Sequence, residues 1–449
     1  MKYVIIGNSA AGIGAVEGIR QIDKQGEITL ITNEPYHTYP RPLISYLLSG
    51  KTTEENMKYR NDNFYTDNNV KLLNGTNVIK IDAKTKEVFI SGGTVMENTT
   101  TGSQDIPPSF GGSIPYDKLL VASGSSPFVP PFDGLDTVMN KFTFMNLDDA
   151  RQLDKTLSNF VSENKRGAKA LIIGAGLIGL KCAEGIAKRV SKITVVDLAP
   201  KILSSILDND GAALVQAHLE NQGINFKLAS SVKKFENNSA VFEDGGIISF
   251  DMLVLAVGVR PNTSLLKDIA CIDRGIIVNG KSETSAPDIY AAGDCTQALD
   301  ISSGQNKIMA LLPNAYMQGE CAGINMAAGT AGENAEKIFN KAIPMNAIGF
   351  FGLHMITAGN YTGETYKMRN EELTEENEIN NNYKRLFYSN NKLNGYILIG
   401  NVEKAGIYTS LIRERTPLDS IDFALICEKP GLMAFTKEER MVKLGGVKK

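Results

Sequence analysis

Two stretches of this chain have the residue types and spacing to hold a phosphate. Gly7-Asn8-Ser9-Ala10-Ala11-Gly12 has the frame G-x-G-x-x-G with serine at the middle glycine, and Gly174-Ala175-Gly176-Leu177-Ile178-Gly179 fills the frame completely. Where a strand turns through such a loop into a helix, free backbone N–H groups and the positive helix end converge on one point, which suits a pyrophosphate. The first glycine makes the turn, the second lets the backbone approach the phosphate, and the third lets helix pack on strand. Serine is the smallest polar replacement for the second, and its hydroxyl can donate to a phosphate.

A dinucleotide site also needs an acid at the end of the next strand to take the ribose hydroxyls. EITLITNEP supplies Glu34 and KITVVDLAP supplies Asp197. The bland alternative for each is a solvated strand-end charge. Asp197 has no arginine beside it, and a carboxylate repels a 2′-phosphate, so NAD is expected over NADP. A further turn, TSAPDIYAAGD, ends in Gly293-Asp294, where an acid behind small residues can hold a sugar-like hydroxyl chain; a plain strand-terminating turn reads equally well on its chemistry alone.

The elements that must position these groups come as a repeat. Lys2 to Ile19, KYVIIGNSAAGIGAVEGI, aligns without gaps on Lys169 to Ile186, KALIIGAGLIGLKCAEGI. Each is a short apolar run, a glycine turn, then apolar residues at helical spacing: Ile13, Val16 and Ile19, then Leu180, Ala183 and Ile186. A second pair follows in the same order, YDKLLVASGSSP at 116–127 and FDMLVLAVGVRP at 250–261, both ending in A-x-G-x-x-P. The chain is therefore expected to hold two copies of one α/β fold. The first copy is longer, largely through 91–113, rich in Gly, Ser, Thr and Pro, which reads as a long mobile hairpin connection. The run EELTEENEINNN at 371–382 reads as a solvated hairpin tip, and 437–449 as a mildly basic frayed end.

Composition sets the outer limits. With 449 residues the chain exceeds one core, so about two to four domains are expected. A net charge of −3 gives no broad basic face for nucleic acid. Cys182, Cys271, Cys295, Cys321 and Cys427 form no CxxC pair, which argues against a metal knuckle and a local redox disulfide and fits a reducing, cytoplasmic compartment. His37, His218 and His354 share no ligand spacing, so no metal site is expected. His37 reads as a turn histidine, with the mouth of an active site as the alternative. Cys182, Cys295 and Cys321 read as buried packing residues. The apolar start reads as a buried strand and helix rather than a signal peptide, and no apolar run reaches the ~18–20 residues of a membrane span.

Taken together, these motifs resemble the pyridine nucleotide–disulfide oxidoreductase superfamily over almost the whole chain. The resemblance implies a glutathione-reductase-like architecture: an α/β chain with two Rossmann-like dinucleotide-binding domains and an α+β C-terminal interface domain. It places an FAD domain at 1–146 and 266–338, an NAD domain at 147–265 and the C-terminal domain at 339–449. The stretches TNEPYHTYPRPLISYLLSGK, PNAYMQGECAGINMAAG, PMNAIGFFGLHMITAG and NGYILIGNVEKAGIYTSLIRERTPL are similar to the NADH:rubredoxin oxidoreductase branch. For FAD the resemblance implies Gly7, Ser9, Ala10, Ala11, Gly12, Asn33, Glu34, Arg41, Pro42, Val78, Ala122, Ser123, Gly124, Gly293, Asp294, Pro313, Asn314 and Ala315. For NAD it implies Gly174, Gly176, Leu177, Ile178, Gly179, Asp197, Ala256, Val257 and Gly258. Arg41 is expected against the FAD, where a guanidinium can pair with the pyrophosphate.

Two departures from the superfamily shape the functional expectation. Disulfide-reducing members carry a redox cysteine after the first ribose acid, and Pro35 to Lys51 contains none. Many members have glutamate where Lys181 stands, so the usual Lys–Glu pair beside the flavin is not carried over, and Glu184, which matches Glu17 in the repeat, reads as scaffold. Lys181 and Phe351 are the candidate pocket residues, with core packing an equal reading for Phe350 and Phe351. The expected enzyme is an FAD-dependent NADH:acceptor oxidoreductase without a protein-derived catalytic acid, base or thiol, donating to a rubredoxin- or ferredoxin-like iron protein. Direct reduction of oxygen is the first alternative, and an NADH-responsive regulatory flavoprotein the second. A homodimer or a place as a subunit of a larger redox complex is compatible with the resemblance.

Overall fold

The structure is a computed structural model, and it describes residues 1–92, 94–96, 104–105, 111–163, 167–329, 335–373 and 379–444. Two parallel sheets carry the repeat. In the first, the strands Ile289–Ala291, Lys118–Val121, Lys2–Ile6, Glu27–Ile31 and Val70–Asn74 lie side by side in that order, all parallel. In the second the order is Lys141–Phe142, Met252–Leu255, Ala168–Ile173, Val190–Val196 and Ile224–Lys227, again all parallel. Four of the five strands match in order, so the sequence repeat is a repeat of topology there; the edge strand differs, coming last in the first half (Ile289–Ala291) and first in the second (Lys141–Phe142). Strands such as YVII and ALII read as unbroken apolar runs because both faces of a parallel sheet are covered; Ile5 and Ile172 are fully buried.

Each half also carries a three-stranded antiparallel sheet, 77–82, 87–91 and 111–115 in the first and 232–236, 239–242 and 247–249 in the second. The expected hairpin connection at 91–113 joins two strands that do pair, Glu87–Ser91 and Gly111–Pro115. Within it, Thr94–Met96 extends the first sheet and Gln104–Asp105 pairs with Thr94–Met96; 93, 97–103 and 106–110 lie outside the described residues. The expected hairpin at 371–382 pairs up to Leu373 and Ile379, with its tip outside the described residues. Of the expected frayed end, 437–444 is helix and the remainder lies outside.

The two A-x-G-x-x-P segments pair with each other. Ser125 stands opposite Pro261 and Pro127 opposite Val259 in an antiparallel ribbon between the halves. Asn262 ties it to the first half: its Nδ2 donates to the Ser123 carbonyl at 2.9 Å, and the Ser123 hydroxyl donates to the Asn262 carbonyl at 2.7 Å.

Helix Ala10–Ile22 crosses helix Leu312–Ala327 at glycines. A Cβ on Gly319 would stand 2.0 Å from the Ala11 carbonyl, and one on Gly323 2.2 Å from that of Ala15. From the other side, a Cβ on Gly14 would stand 2.4 Å from the Tyr316 carbonyl. Only glycine permits this approach, and it sets the start of the second helix beside the start of the first. The C-terminal region is a five-stranded antiparallel sheet, in the order 345–350, 353–359, 392–399, 379–389, 364–373, covered by helix Ala405–Glu414. It docks on the second half: Asp208, which caps helix Asn209–Asn221, accepts from Arg385 at 2.6 Å and from Tyr383.

Candidate active-site cleft

Both parallel sheets end in the loops that sequence singled out. Gly7 and Gly174 turn with φ +111° and +116°, and a Cβ on either would strike the carbonyl of Ala122 or Ala256 at 2.2 Å. Glycine is required there by both the turn and the neighbouring strand. Ser9 caps helix Ala10–Ile22 from an extended conformation, and its side chain makes no capping bond, so the hydroxyl is available to a ligand.

A cleft of about 680 Å³ opens at these loops. One wall is the first loop, with Gly7, Ser9, Ala10 and Ala11, followed by Asn33 and Glu34, then Arg41, Pro42 and Val78. The floor is Ala122, Ser123 and Gly124, joined by Gly293 and Asp294 and by Pro313 and Ala315 at the start of helix Leu312–Ala327. The far end is Leu177, Ile178 and Lys181 from the second half and Met145 with Ile348 and Gly349. Sixteen of the eighteen residues expected at the first nucleotide thus come together.

Two of that set do not. Gly12 faces the Gly7 carbonyl behind the loop, where a Cβ would stand 1.9 Å from the oxygen, so it packs helix on strand. Asn314 is buried and turned away, its Nδ2 donating to the Ile343 carbonyl at 3.0 Å. Phe351 also leaves the site. It follows the strand Met345–Phe350 in a left-handed turn, φ 46°, packs against the core beside the fully buried Phe350, and does not line the cleft. The cleft is lined instead by residues of the preceding strand, Met345 to Gly349.

Of the second set, Leu177 and Ile178 reach the shared cleft, while Gly174, Ala256, Val257 and Gly258 sit at the strand ends of the second sheet, Gly176 caps helix Leu177–Ile186 and Gly179 packs that helix on the Gly174 carbonyl, all outside the cleft. Asp197 follows strand Val190–Val196 directly, and its carboxylate accepts from the N–H of Ala175 at 2.6 Å and of Ala199 at 2.8 Å. The acid is therefore fixed against the second loop. Glu34 lies three residues past the end of its strand, at Ile31, rather than at the strand end. It accepts from Arg41 at 2.7 Å, a pairing sequence did not suggest.

The electrostatics of the cleft favour a ligand rich in hydroxyls and phosphates. Burial raises the Asp294 carboxyl above its ordinary value, and the Ser125 hydroxyl at 3.3 Å and the charge of Arg41 offset this only in part. A carboxylate so placed gains from hydroxyl donors. Together with the Ser9 hydroxyl and the glycine at 293, where a Cβ would stand 3.2 Å from that of Ala11 and 3.5 Å from that of Ala315 on the cleft wall, these residues fit FAD.

At the far end Lys181 and Glu184 are paired on one helix, so a Lys–Glu pair exists here although the usual one was not expected. Glu184 also accepts from the Phe351 N–H at 3.0 Å and from Lys51 at 3.4 Å. Burial alone would raise its pKa, but these donors, Lys181 foremost, hold it below the ordinary value. Sequence missed Tyr36, Tyr39, Ser45 and Tyr46, which line the cleft. The aromatic density of YHTYPRPLISY was the available signal. His37 lines it too, with its ring nitrogens near the Thr38 and Asn61 carbonyls. No cysteine lines the cleft; Cys182, Cys295 and Cys321 are buried elsewhere. Among the described residues no group of three or more His, Cys, Asp or Glu is placed to hold a metal, and no helix is long and apolar enough to cross a membrane.

Comparison with known proteins is consistent with this geometry. Residues 1–319 match the family described as "Pyridine nucleotide-disulphide oxidoreductase", and residues 344–416 match "Rubredoxin NAD+ reductase C-terminal domain". The NADH-dependent phenylglyoxylate dehydrogenase subunit epsilon of Aromatoleum evansii is 29% identical over 93% of this chain and 92% of its own. An NADH oxidase of Methanocaldococcus jannaschii is 34% identical over 73% of this chain and 70% of its own. The solved structure of NADH:rubredoxin oxidoreductase from Clostridium acetobutylicum superimposes with a TM-score of 0.68 at 26% identity, covering 93% of this chain and 96% of that one.

Proposed function

This chain belongs to the pyridine nucleotide-disulphide oxidoreductase family and is an NAD(P)H oxidoreductase of the NADH:rubredoxin oxidoreductase type, and from that premise we propose that it passes electrons from NADH, through FAD, to a small iron or iron–sulfur protein. The observation that carries this reading is one cleft, lined by the first nucleotide loop and by the start of helix Leu177–Ile186 after the second, with no cysteine on its walls. FAD bound there would accept a hydride from NADH and release the two electrons singly, which suits a one-electron iron acceptor.

The chain's own part is binding and positioning. In this reading Ser9 and the N–H groups of Ala10 and Ala11 take the pyrophosphate, with Arg41 adding charge. Glu34 takes the ribose hydroxyls, and Asp294 the hydroxyl chain nearer the ring. Asn33, Pro42, Val78, Ala122, Ser123, Gly124, Pro313 and Ala315 wall the cofactor in and exclude water. Gly174, Gly176 and the start of helix Leu177–Ile186 take the nicotinamide dinucleotide, lying between Asp197 and the strand end at Ala256, Val257 and Gly258. Asp197 favours NADH over NADPH, because a fixed carboxylate repels a 2′-phosphate.

Without a thiol beside the ring, electrons leave from the cofactor itself. The match to a rubredoxin reductase C-terminal domain supports an iron-protein acceptor. A relative that is one subunit of a larger enzyme supports assembly with partners. Scattered free cysteines support a cytoplasmic setting. The domain limits we propose are 1–146 with 266–338, 147–265 and 339–449. Steady-state NADH oxidation with added rubredoxin or ferredoxin tests the acceptor: stimulation well above the rate in air supports it, and no stimulation by either overturns it. The 34% identity to an NADH oxidase favours a second reading, direct reduction of oxygen, which the same assay reports as a fast rate in air alone.

A further inference from the structure

The far end of the cleft carries a charge that the binding scheme leaves unused. Lys181 lines the cleft with its side chain only 13% exposed. Its Nζ stands 4.8 Å from the centre of the Tyr46 ring and 5.6 Å from that of Phe350, and it donates to the Gly349 carbonyl at 3.1 Å. The Glu184 carboxylate that pairs with it is not on the cleft wall. Lys51 pairs with the same carboxylate and lies 5.5 Å from the centre of the Tyr46 ring. Two lysines and one glutamate leave one net positive charge, and the cation faces the cleft while the anion lies behind it.

The position matters because Lys181 lies on the helix that follows the second nucleotide loop, and that helix reaches the cleft through Leu177 and Ile178. Hydride transfer needs the two reacting rings in contact, so they meet where helix Leu177–Ile186 enters the cleft. A hydride carries two electrons and one proton. NADH leaves as NAD+, and the ring system that accepts the hydride gains one negative charge. Tyr46, Ile178 and Ile348 keep this end apolar, so a fixed cation there stabilises the charged product over the neutral reactant.

We propose that Lys181, held over Tyr46, is the electrostatic determinant of the reduction potential of the bound flavin, raising it so that electrons pass from NADH and are kept from leaking back. The proposal rests on the FAD reading of the cleft. Tyr46 acts as a positioning residue: its ring face and the Gly349 carbonyl hold the ammonium at the cleft wall.

The test is the midpoint potential of the flavin in the purified holoprotein, read from flavin absorbance against reference dyes. K181M is expected to move the potential to more negative values, and K181E further. K181R keeps the charge and is expected to stay near the wild-type value; Y46L keeps the lysine without its platform and is expected to move it less than K181M. If K181E fails to retain FAD, K181M against K181R decides. FAD fully bound, with the potential of K181M equal to that of wild type, overturns this proposal alone. A wild-type chain that binds no FAD overturns the functional reading and this proposal together.

Discussion

Glu17 and Glu184 occupy the same position in the two copies of one fold, and each anchors its helix to a neighbouring part of the chain. Glu17 takes Arg60 through both oxygens, at 2.7 and 3.1 Å, and the Tyr316 hydroxyl at 2.5 Å. Glu184 takes Lys181, Lys51 and the Phe351 N–H. In the first copy the anchor holds the helix that underlies the cleft. In the second it holds the C-terminal region, through the Phe351 N–H, against the second half.

Removing the second anchor is expected to loosen that junction. E184Q leaves two lysines and a backbone N–H without their carboxylate, and a loss of about 2–4 kcal/mol of stability is expected in denaturant unfolding. The sign with pH follows from the lowered Glu184 pKa. The folded state binds fewer protons than the unfolded state near the ordinary carboxylate range. The contribution is therefore complete above about pH 4.5 and is lost as pH falls through the folded value. The slope of stability against pH below 5 is expected to be shallower in E184Q.

Ser9 offers a test of the pyrophosphate reading of the first loop. S9L puts a branched apolar chain where the backbone must approach a phosphate, and purified protein is expected to lose its flavin absorbance. S9G restores the full glycine frame and is expected to retain it. A fully yellow S9L protein counts against the pyrophosphate reading.

Asp294 is expected to trade stability for binding. Its raised pKa means that ionising it costs the folded apoprotein stability above the ordinary carboxylate range, and the neutral amide in D294N removes that cost. The apoprotein of D294N is expected to melt slightly higher than wild type, while FAD affinity falls about 10- to 100-fold. Fluorimetric titration of apoprotein with FAD and a thermal melt read the two halves separately.

Nicotinamide preference is expected to follow Asp197 and its exposed neighbour. Leu198 is 74% exposed beside the fixed carboxylate. D197A removes the repulsion, and adding L198R supplies a partner for a 2′-phosphate. The ratio of kcat/KM for NADPH over NADH is expected to rise at least about tenfold.

The helix crossing is expected to tolerate no side chain at Gly319. G319A drives a methyl into the Ala11 carbonyl, and a loss of about 3 kcal/mol or more is expected, with flavin lost as Pro313 and Ala315 shift. Equal flavin content and melting temperature in G319A and wild type would show the crossing to be looser than described.

Much of the site was legible because it is local. A glycine loop between an apolar run and a helix acts through its own backbone, so GNSAAG and GAGLIG declare themselves in order, and the repeat multiplies the signal. Asp197 and Asp294 are read the same way, from the strand ends that deliver them. Phe351 and Asn314 were misplaced because direction is not local. A left-handed turn aims one into the core, and the Ile343 carbonyl draws the other away. Ile348 and Gly349 lie within PMNAIGFFGLHMITAG, but composition alone does not tell which residues of that strand face the cleft.

Sequence by itself determined the two-copy architecture, the two glycine loops at the strand ends and the absence of a cysteine between Pro35 and Lys51, because each depends on spacing within a few residues. Tertiary structure alone decided that the two A-x-G-x-x-P copies pair with each other, that Glu34 holds Arg41, and that Lys181 turns over Tyr46 with its carboxylate behind it. Those relations join residues from different halves or from opposite ends of one loop. Their strength comes from burial and orientation, which a linear order of residues does not carry.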